Sequence, residues 1–409
     1  MLNEKEKLND IINVSYEITQ VQDLDLLLEI ILSKARSFSN ADAGSIYIVE
    51  GDKLKFQCNQ NDTQQKKLPQ GKKLIYSTFT VPVDTRSISG SVASTGEMLN
   101  IPDVYDIPPG TPYSFDSHYD ELSQYKTQSM LTFPLKTNRG DVIGVLQLIN
   151  ARKPDGEIVP FSKDDEPFIM YFANNAAVAI ERAKMTRALL LRMIGMAELR
   201  DPKETGAHVN RVAAYAVEIY ETWAQECQCQ GEQIQKNKDI LRMAAMLHDV
   251  GKVAISDLIL KKPERLNDAE FQVMKQHTYL GARMFSDLFS SFDEAAYQVA
   301  LNHHERWDGN GYPGHLNPMT GRPISGYEDK NGLPRGKKGD EIPPFGRIVA
   351  IADVYDALSS PRAYKDAWDE DRVLETIRGE SGKHFDPDMV EAFFSSLDVI
   401  RNIAKRYPE

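Results

Sequence analysis

Only three cysteines, Cys58, Cys227 and Cys229, occur in 409 residues. That is too few for a disulfide framework and points to a reducing compartment. Positive charge is also scarce: 48 Lys and Arg stand against 60 Asp and Glu, a formal net charge of −12. This excludes a protein that holds nucleic acid mainly by charge, but leaves room for a local basic pocket for a small phosphate. No run approaches the roughly 18 apolar residues of a membrane span, and the opening Met1-Leu-Asn-Glu-Lys-Glu-Lys has no apolar signal core. The expectation is a cytoplasmic chain with neither nucleic acid nor membrane as partner. Histidine is nearly missing from the first half: of eight, only His118 precedes residue 200. Imidazole chemistry therefore belongs to the C-terminal half.

Length and an ordinary share of apolar and charged residues suit two or three globular domains. The first half reads as mixed α and β. Leu8, Ile11, Ile12, Leu24, Leu27, Ile30, Ile31 and Ala35 recur at helical spacing. Ser45–Val49 and Lys53–Gln57 read as strands around Glu50-Gly51-Asp52, and Ser129–Leu135 and Val142–Asn150 as a second pair around Asn138-Arg139-Gly140. Between the pairs, residues 101 to 127 read as a long loop, a common form of ligand cover. A long helix is predicted from Asp164-Asp165-Glu166-Pro167 to about Arg200, roughly 50 Å at 1.5 Å per residue. Its apolar stripe runs Phe168, Phe172, Ala176, Ala179, Ala183, Leu190, Met193, Ala197. It either packs on its own domain or pairs with a second copy as a signalling helix. The remainder reads as nearly all helix. Asn267 to Glu270 forms a capping-box start for a helix carrying His277, Ile240–Leu247 ends at His248, Phe345–Leu358 carries Asp353, and Asp386-Pro387 caps a final helix. The expected domains are 1–165, a linker helix 166–200, and 201–409.

The helical half holds an unusual set of side chains. Glu204 and His208 are four apart, which puts them on one face of a helix. His248 and Asp249 are adjacent, followed by Gly251 and Lys252. His277 stands alone, and His303-His304 precede Glu305, Asp308 and Gly311-Tyr312-Pro313-Gly314. Each has an ordinary explanation as a core or surface residue. Adjacent histidines, however, are expected only about 0.16 times at this composition, and Asp353 lies in an apolar stretch where a buried carboxylate needs a partner such as a metal. Five histidines and three carboxylates exceed the needs of one ion and suit two or three, with Asp249 as the natural bridge. A nitrogen and oxygen donor set suits iron, manganese, zinc or nickel rather than a thiolate zinc site. Clustered metals with open positions are a usual device for attacking a phosphate ester.

His248-Asp249-Val-Gly-Lys252, His303-His304-Glu305-Arg-Trp-Asp308-Gly-Asn-Gly311-Tyr312-Pro313, Ile348-Val-Ala-Ile-Ala-Asp353-Val-Tyr-Asp356, Arg362-Ala-Tyr-Lys365 and Gly382-Lys-His-Phe-Asp386-Pro together resemble the HD-GYP family. The resemblance covers about residues 195 to 405. It implies a metal-dependent phosphodiesterase that cleaves cyclic di-GMP to pGpG or GMP. It implies His208, His248, Asp249, His277, His303, His304 and Asp353 as metal ligands, with Glu204 as the extra carboxylate of three-metal members. Iron is the expected metal, with manganese as the alternative. Asp249 and Lys252 are implied as catalytic, Lys252 beside the scissile phosphate. Tyr312 and Pro313 shape the substrate pocket, and Arg362 and Lys365 hold phosphate and guanine. One departure is an insertion, about His315 to Asn331, rich in turn residues and expected to be an ordered loop that could serve as a lid.

Ser89 to Glu97, Ser129 to Leu135 and Gly144 to Asn150 resemble a GAF domain over about residues 20 to 165. Asn150 and Lys153 with Phe161 to Glu166 echo a signature of its cyclic-nucleotide members, with the Lys displaced by Ala151-Arg152. The resemblance implies an α+β sensor, an antiparallel sheet with flanking helices, joined by the long helix to an all-α metallohydrolase. A cyclic nucleotide, another small ligand, or dimerisation alone remain open for the sensor, and a homodimer through the linker helix is expected. Two rival readings stand beside hydrolysis of cyclic di-GMP: a receptor with little turnover, and a phosphodiesterase of other nucleotides, including other cyclic dinucleotides. Cys227-Gln-Cys229 reads as exposed thiols.

Overall fold

A computed structural model describes residues 4–69, 74, 79–198, 206–360 and 367–408. The chain divides into two compact units, 1–187 and 188–409.

The first unit is built on an antiparallel sheet of β1 (Ala41–Glu50), β2 (Lys53–Asn61), β3 (Thr80–Pro82), β4 (Leu99–Ile101), β5 (Met130–Lys136), β6 (Val142–Arg152) and β7 (Ile158–Val159). The order is β3-β2-β1-β6-β5-β4, with β7 also on β6. Both expected hairpins form, and their strands mostly run past the predicted ends. Strand alternation sorts the side chains. Ile46 and Ile48 of β1, Leu131, Phe133 and Leu135 of β5, and Leu146 and Leu148 of β6 share one core with Leu27, Ile31 and Leu32 of the helix Leu24–Ser39. Tyr47 and Val145, at the alternate positions, belong to a separate cluster with Phe56. The helix Leu24–Ser39 starts where the Asp23 carboxylate accepts from the N–H groups of Asp25 and Leu26, and ends at Asn40, φ 52°, the left-handed cap that stops a helix. The 101–127 stretch is mostly irregular but holds a short helix, His118–Ser123.

The long helix runs Glu166–Glu198; the expected end at Arg200 lies outside the described residues. Phe172, Ala176, Ala179 and Ala183 are buried in the sheet's core. Leu190, Leu191 and Ile194 pack in the core of the second unit. Met193, expected on the stripe, is 38% exposed, and Ile194 takes the buried place. The apolar face therefore shifts by one residue late in the helix.

The second unit is helical. Gly206–Glu226 is packed by Gly231–Ala245, Pro344–Ser359, Pro387–Ser395 and Leu397–Arg406. Ser291–Asn302 lies against Gly231–Ala245 and Pro344–Ser359. Two expectations are corrected. The capping box at Asn267 does form, but its helix is Asp268–Met274, and His277 opens a separate helix, His277–Arg283. Asp386 caps Pro387–Ser395, but a further helix, Leu397–Arg406, follows it. The inserted segment contains a small hairpin, Leu316–Asn317 with Arg322–Pro323. Its base is fixed: Leu316 is buried with Ala282 and Leu301, Arg283 donates to the Pro318 carbonyl, and His315 stacks on Tyr327 at 4.1 Å. Among the described residues no helix is long and apolar enough to cross a membrane.

Candidate metal centre

The expected donors come from five places in the second unit. His208 is in the first turn of Gly206–Glu226. His248 and Asp249 lie in the turns after Gly231–Ala245, where Asp249 caps the short helix Val250–Ala254. His277 opens its helix, His303 caps Ser291–Asn302 with His304 next to it, and Asp353 is on Pro344–Ser359. Gly251 lets two of these meet. A Cβ there would overlap the His277 carbonyl and the Gly281 backbone, so any other residue would push Asp249 away from His277.

The donors fall into two groups, Asp249 with His277, His303 and His304, and His208 with His248 and Asp353. Asp249 faces both. Its Oδ1 is 3.1 Å from His277 Nε2 and 3.5 Å from His303 Nε2, and its Oδ2 is 3.4 Å from His248 Nε2. In the second group His208 Nε2 lies 3.7 Å from Asp353 Oδ1. Lys252 Nζ is 2.7 Å from Asp249 Oδ2. Glu204, Arg362 and Lys365 lie outside the described residues.

The ring orientations suit metal ions. His248 Nδ1 is 2.8 Å from the Ala245 carbonyl, His277 Nδ1 2.7 Å from that of Met274, and His303 Nδ1 3.1 Å from those of Val299 and Ala300. A carbonyl only accepts, so each Nδ1 carries the proton and each Nε2 turns a lone pair inward. The Nε2 atoms of His277 and His303 are then two acceptors 3.4 Å apart, a repulsive pair that a cation between them relieves. Burial pushes the His303 imidazole below its usual pKa. Burial, with His303 and His277 alongside, pushes that of His304 much further down. Both are held neutral, the ligating form. Burial alone would raise the Asp249 carboxyl, but the Lys252 ammonium beside it holds it well below the usual range.

Sequence reasoning misplaced one burial and missed two supporting groups. Asp353 is not sealed in the core, its side chain being 15% exposed at the donor cluster; the sealed carboxylate is Asp356, 1% exposed. Asp356 accepts from Arg211 Nε at 2.6 Å and Nη2 at 2.9 Å, and lies 2.8 Å from His208 Nδ1. Burial opposes its charge, but His208 and Arg211 still hold its carboxyl low. It thus orients His208 as the carbonyls orient His248, His277 and His303. Its signal was its place three residues after Asp353 on one helix. Glu305, 2% exposed, accepts from Gly314 N at 2.5 Å and Lys337 N at 3.1 Å. It ties down the loop that sets Tyr312 4.8 Å from the His304 ring. Burial pushes its carboxyl up to about 7.

The first unit holds a cavity of about 430 Å³ on the Tyr47 side of the sheet. Ser45 and Gln147 lie on the sheet side, and Phe79, Tyr119 and Asp120 also line it. Phe79 stacks on Phe56 at 4.7 Å and on Tyr119 at 5.4 Å. Asn150 is a structural lock. Fully buried at φ 57°, it accepts from Gln128 N and donates to Tyr125 Oη and the Lys126 carbonyl. Cys227 and Cys229 are exposed free thiols.

Residues 205–358 match the family described as HD domain, a span holding every expected metal ligand except Glu204. Residues 23–180 match the family described as GAF domain. This chain joins a GAF domain to an HD domain. It is 33% identical over 235 residues to a Vibrio cholerae protein named 3'3'-cGAMP-specific phosphodiesterase 2, covering 58% of this chain and 39% of that one. It is 36% identical over 259 residues to a V. cholerae protein named cyclic di-GMP phosphodiesterase, covering 61% and 48%. A Thermotoga maritima protein, also named cyclic di-GMP phosphodiesterase, is 40% identical over 166 residues, covering 41% and 39%. The matched stretches thus span less than half the length of these relatives.

Proposed function

We propose that the HD domain is a metal-dependent phosphodiesterase of the HD-GYP type that hydrolyses cyclic di-GMP to pGpG or GMP. The observation that carries this is the Asp249 carboxylate set between two groups of inward-facing imidazoles. The names of the relatives support the substrate class. His208, His248, Asp249, His277, His303, His304 and Asp353 would hold two ions, with iron the expected metal and manganese the alternative. Glu204 is proposed to add a third, and Arg362 and Lys365 to hold the ligand. Such ions supply Lewis-acid activation of water and of the phosphoryl oxygens at neutral pH. Lys252, an ammonium at the edge of the cluster, is placed to offset charge that develops on phosphate. Tyr312 and Pro313 are proposed to shape the substrate pocket, on a loop that Glu305 ties down. Metal content and cyclic di-GMP turnover, measured on one anaerobically purified sample, test the reading. Two or three ions per chain with turnover are expected; a full metal complement with tight binding and no turnover moves the assignment to a receptor. A relative named for 3'3'-cGAMP favours one second reading, a different cyclic dinucleotide as substrate, which competition assays separate.

The GAF cavity is proposed to take a small ligand that regulates the HD domain, a cyclic nucleotide being one candidate. A homodimer is proposed along the long helix. Tyr171, Val178 and Met185 recur every seven residues and are 51%, 43% and 66% exposed, the spacing of a helix seam. Sedimentation of a Val178→Glu, Met185→Glu variant tests it, with monomer expected. A cytoplasmic location is proposed, in keeping with the free thiols.

A further inference from the structure

The Gly-Tyr-Pro loop carries one ring into a second arrangement that the metal centre does not use. Lys275 follows the helix Asp268–Met274 and precedes His277 by two residues. Its ammonium lies 4.9 Å from the centre of the Phe271 ring and 5.1 Å from that of Tyr312. The two rings meet edge to face at 6.0 Å. Tyr312 is in turn 4.8 Å from the His304 ring and 6.5 Å from that of His277. The cation is therefore held on the rim of the metal centre, within about 10 Å of the His304 ring.

Its neighbours are spent differently. Lys252 is paired with Asp249, Lys262 with Glu270, and Lys337 donates to Asn302. Lys275 makes no ion pair with a carboxylate among the described residues; its contacts are the two rings. Ring faces fix the position of an ammonium without using up its N–H donors. Phe271 is 42% exposed, so part of its surface is open beside the cation.

We propose that Phe271, Lys275 and Tyr312 form a purine subsite beside the metal centre, in which Lys275 reads the O6 and N7 edge of a guanine. This inference rests on the cyclic dinucleotide reading above and adds a specificity determinant to it. Guanine offers two acceptors on that edge, whereas adenine offers N7 beside an amino donor that opposes the ammonium. An aromatic ring gives either base a face to lie on, so the ring supplies affinity and the lysine supplies the choice. A phosphate contact from the same ammonium would be blind to the base.

The test compares cyclic di-GMP with cyclic di-AMP on the metal-loaded full chain, by kcat/KM where turnover is seen and by calorimetric Kd where it is not. Lys275→Met is expected to lower the preference for cyclic di-GMP about tenfold, carried by KM or Kd rather than kcat. Lys275→Arg is expected to keep most of the preference, and 3'3'-cGAMP to fall between the two ligands. Equal weakening toward both ligands by Lys275→Met, or an unchanged ratio, overturns the inference while cyclic dinucleotide binding by the unaltered chain leaves the proposed function standing. Failure of the unaltered chain to bind or cleave any of the three overturns both.

Discussion

In the GAF domain the cavity is walled on one side by alternate residues of a sheet, Ser45, Tyr47 and Gln147, whose neighbours Ile46, Leu146 and Leu148 turn into the opposite core. In the HD domain the described donors sit in helix first turns, caps and the turns that follow, Asp353 alone among them lying in a helix interior. The two designs spend residue types differently. The sheet lines its cavity with Ser, Asn, Gln, Phe and Tyr, which occur throughout the chain. The helical domain spends a rare residue, histidine, and at His248, His277 and His303 a backbone carbonyl accepts from Nδ1. A sheet cavity also takes its shape from many side chains, whereas the metal centre depends on a few.

That contrast predicts a ranking of effects. A His303→Ala, His304→Ala variant is expected to lose turnover by about three orders of magnitude or more, since losing a metal removes both water activation and charge stabilisation. Metal content and activity check it, and normal turnover would sink the metal-centre reading. Phe133→Ala, in the fully buried core of the sheet, is expected to cost the first unit about 3–5 kcal/mol. Chemical denaturation with metal content measured alongside checks it, and loss of metal in that variant would break the comparison. Asp356→Asn is expected to weaken metal affinity by about 10- to 100-fold, as His208 loses its charged partner; metal competition with a chelator reads it. Asn267→Ala removes one side of the capping box and is expected to cost about 1 kcal/mol, seen as a small shift of the HD-domain melt with metal content unchanged.

Much of the site was legible because histidine is scarce enough for seven in one half to stand out. The adjacent pair His303-His304 and the His248-Asp249 pair pointed to one centre before any fold was known. Their companions were not legible. Asp356 and Arg211 are 145 apart in sequence, and beyond the place of Asp356 three residues after Asp353 nothing local marks either as a partner of His208. Asp353 was read as the sealed carboxylate because it lies among apolar residues. Helical geometry instead turns it to the open cluster and seals Asp356, one turn on. The His277 helix was read as continuous with the capping box at Asn267, since periodicity does not register the break at Lys275-Gln276.

Sequence alone determined the two-part organisation, the hairpins of the sheet, the helical nature of the second half and the candidate donor residues, because each rests on local periodicity or on a rare residue type. Tertiary structure decided which candidate donors stand together, that Asp249 faces both groups, that Asp356 holds His208, and that Lys275 stands between two rings at the rim. Those are distances between segments remote in the chain. They are set by close approaches, such as Gly251 against the His277 carbonyl, that no pattern along the chain encodes.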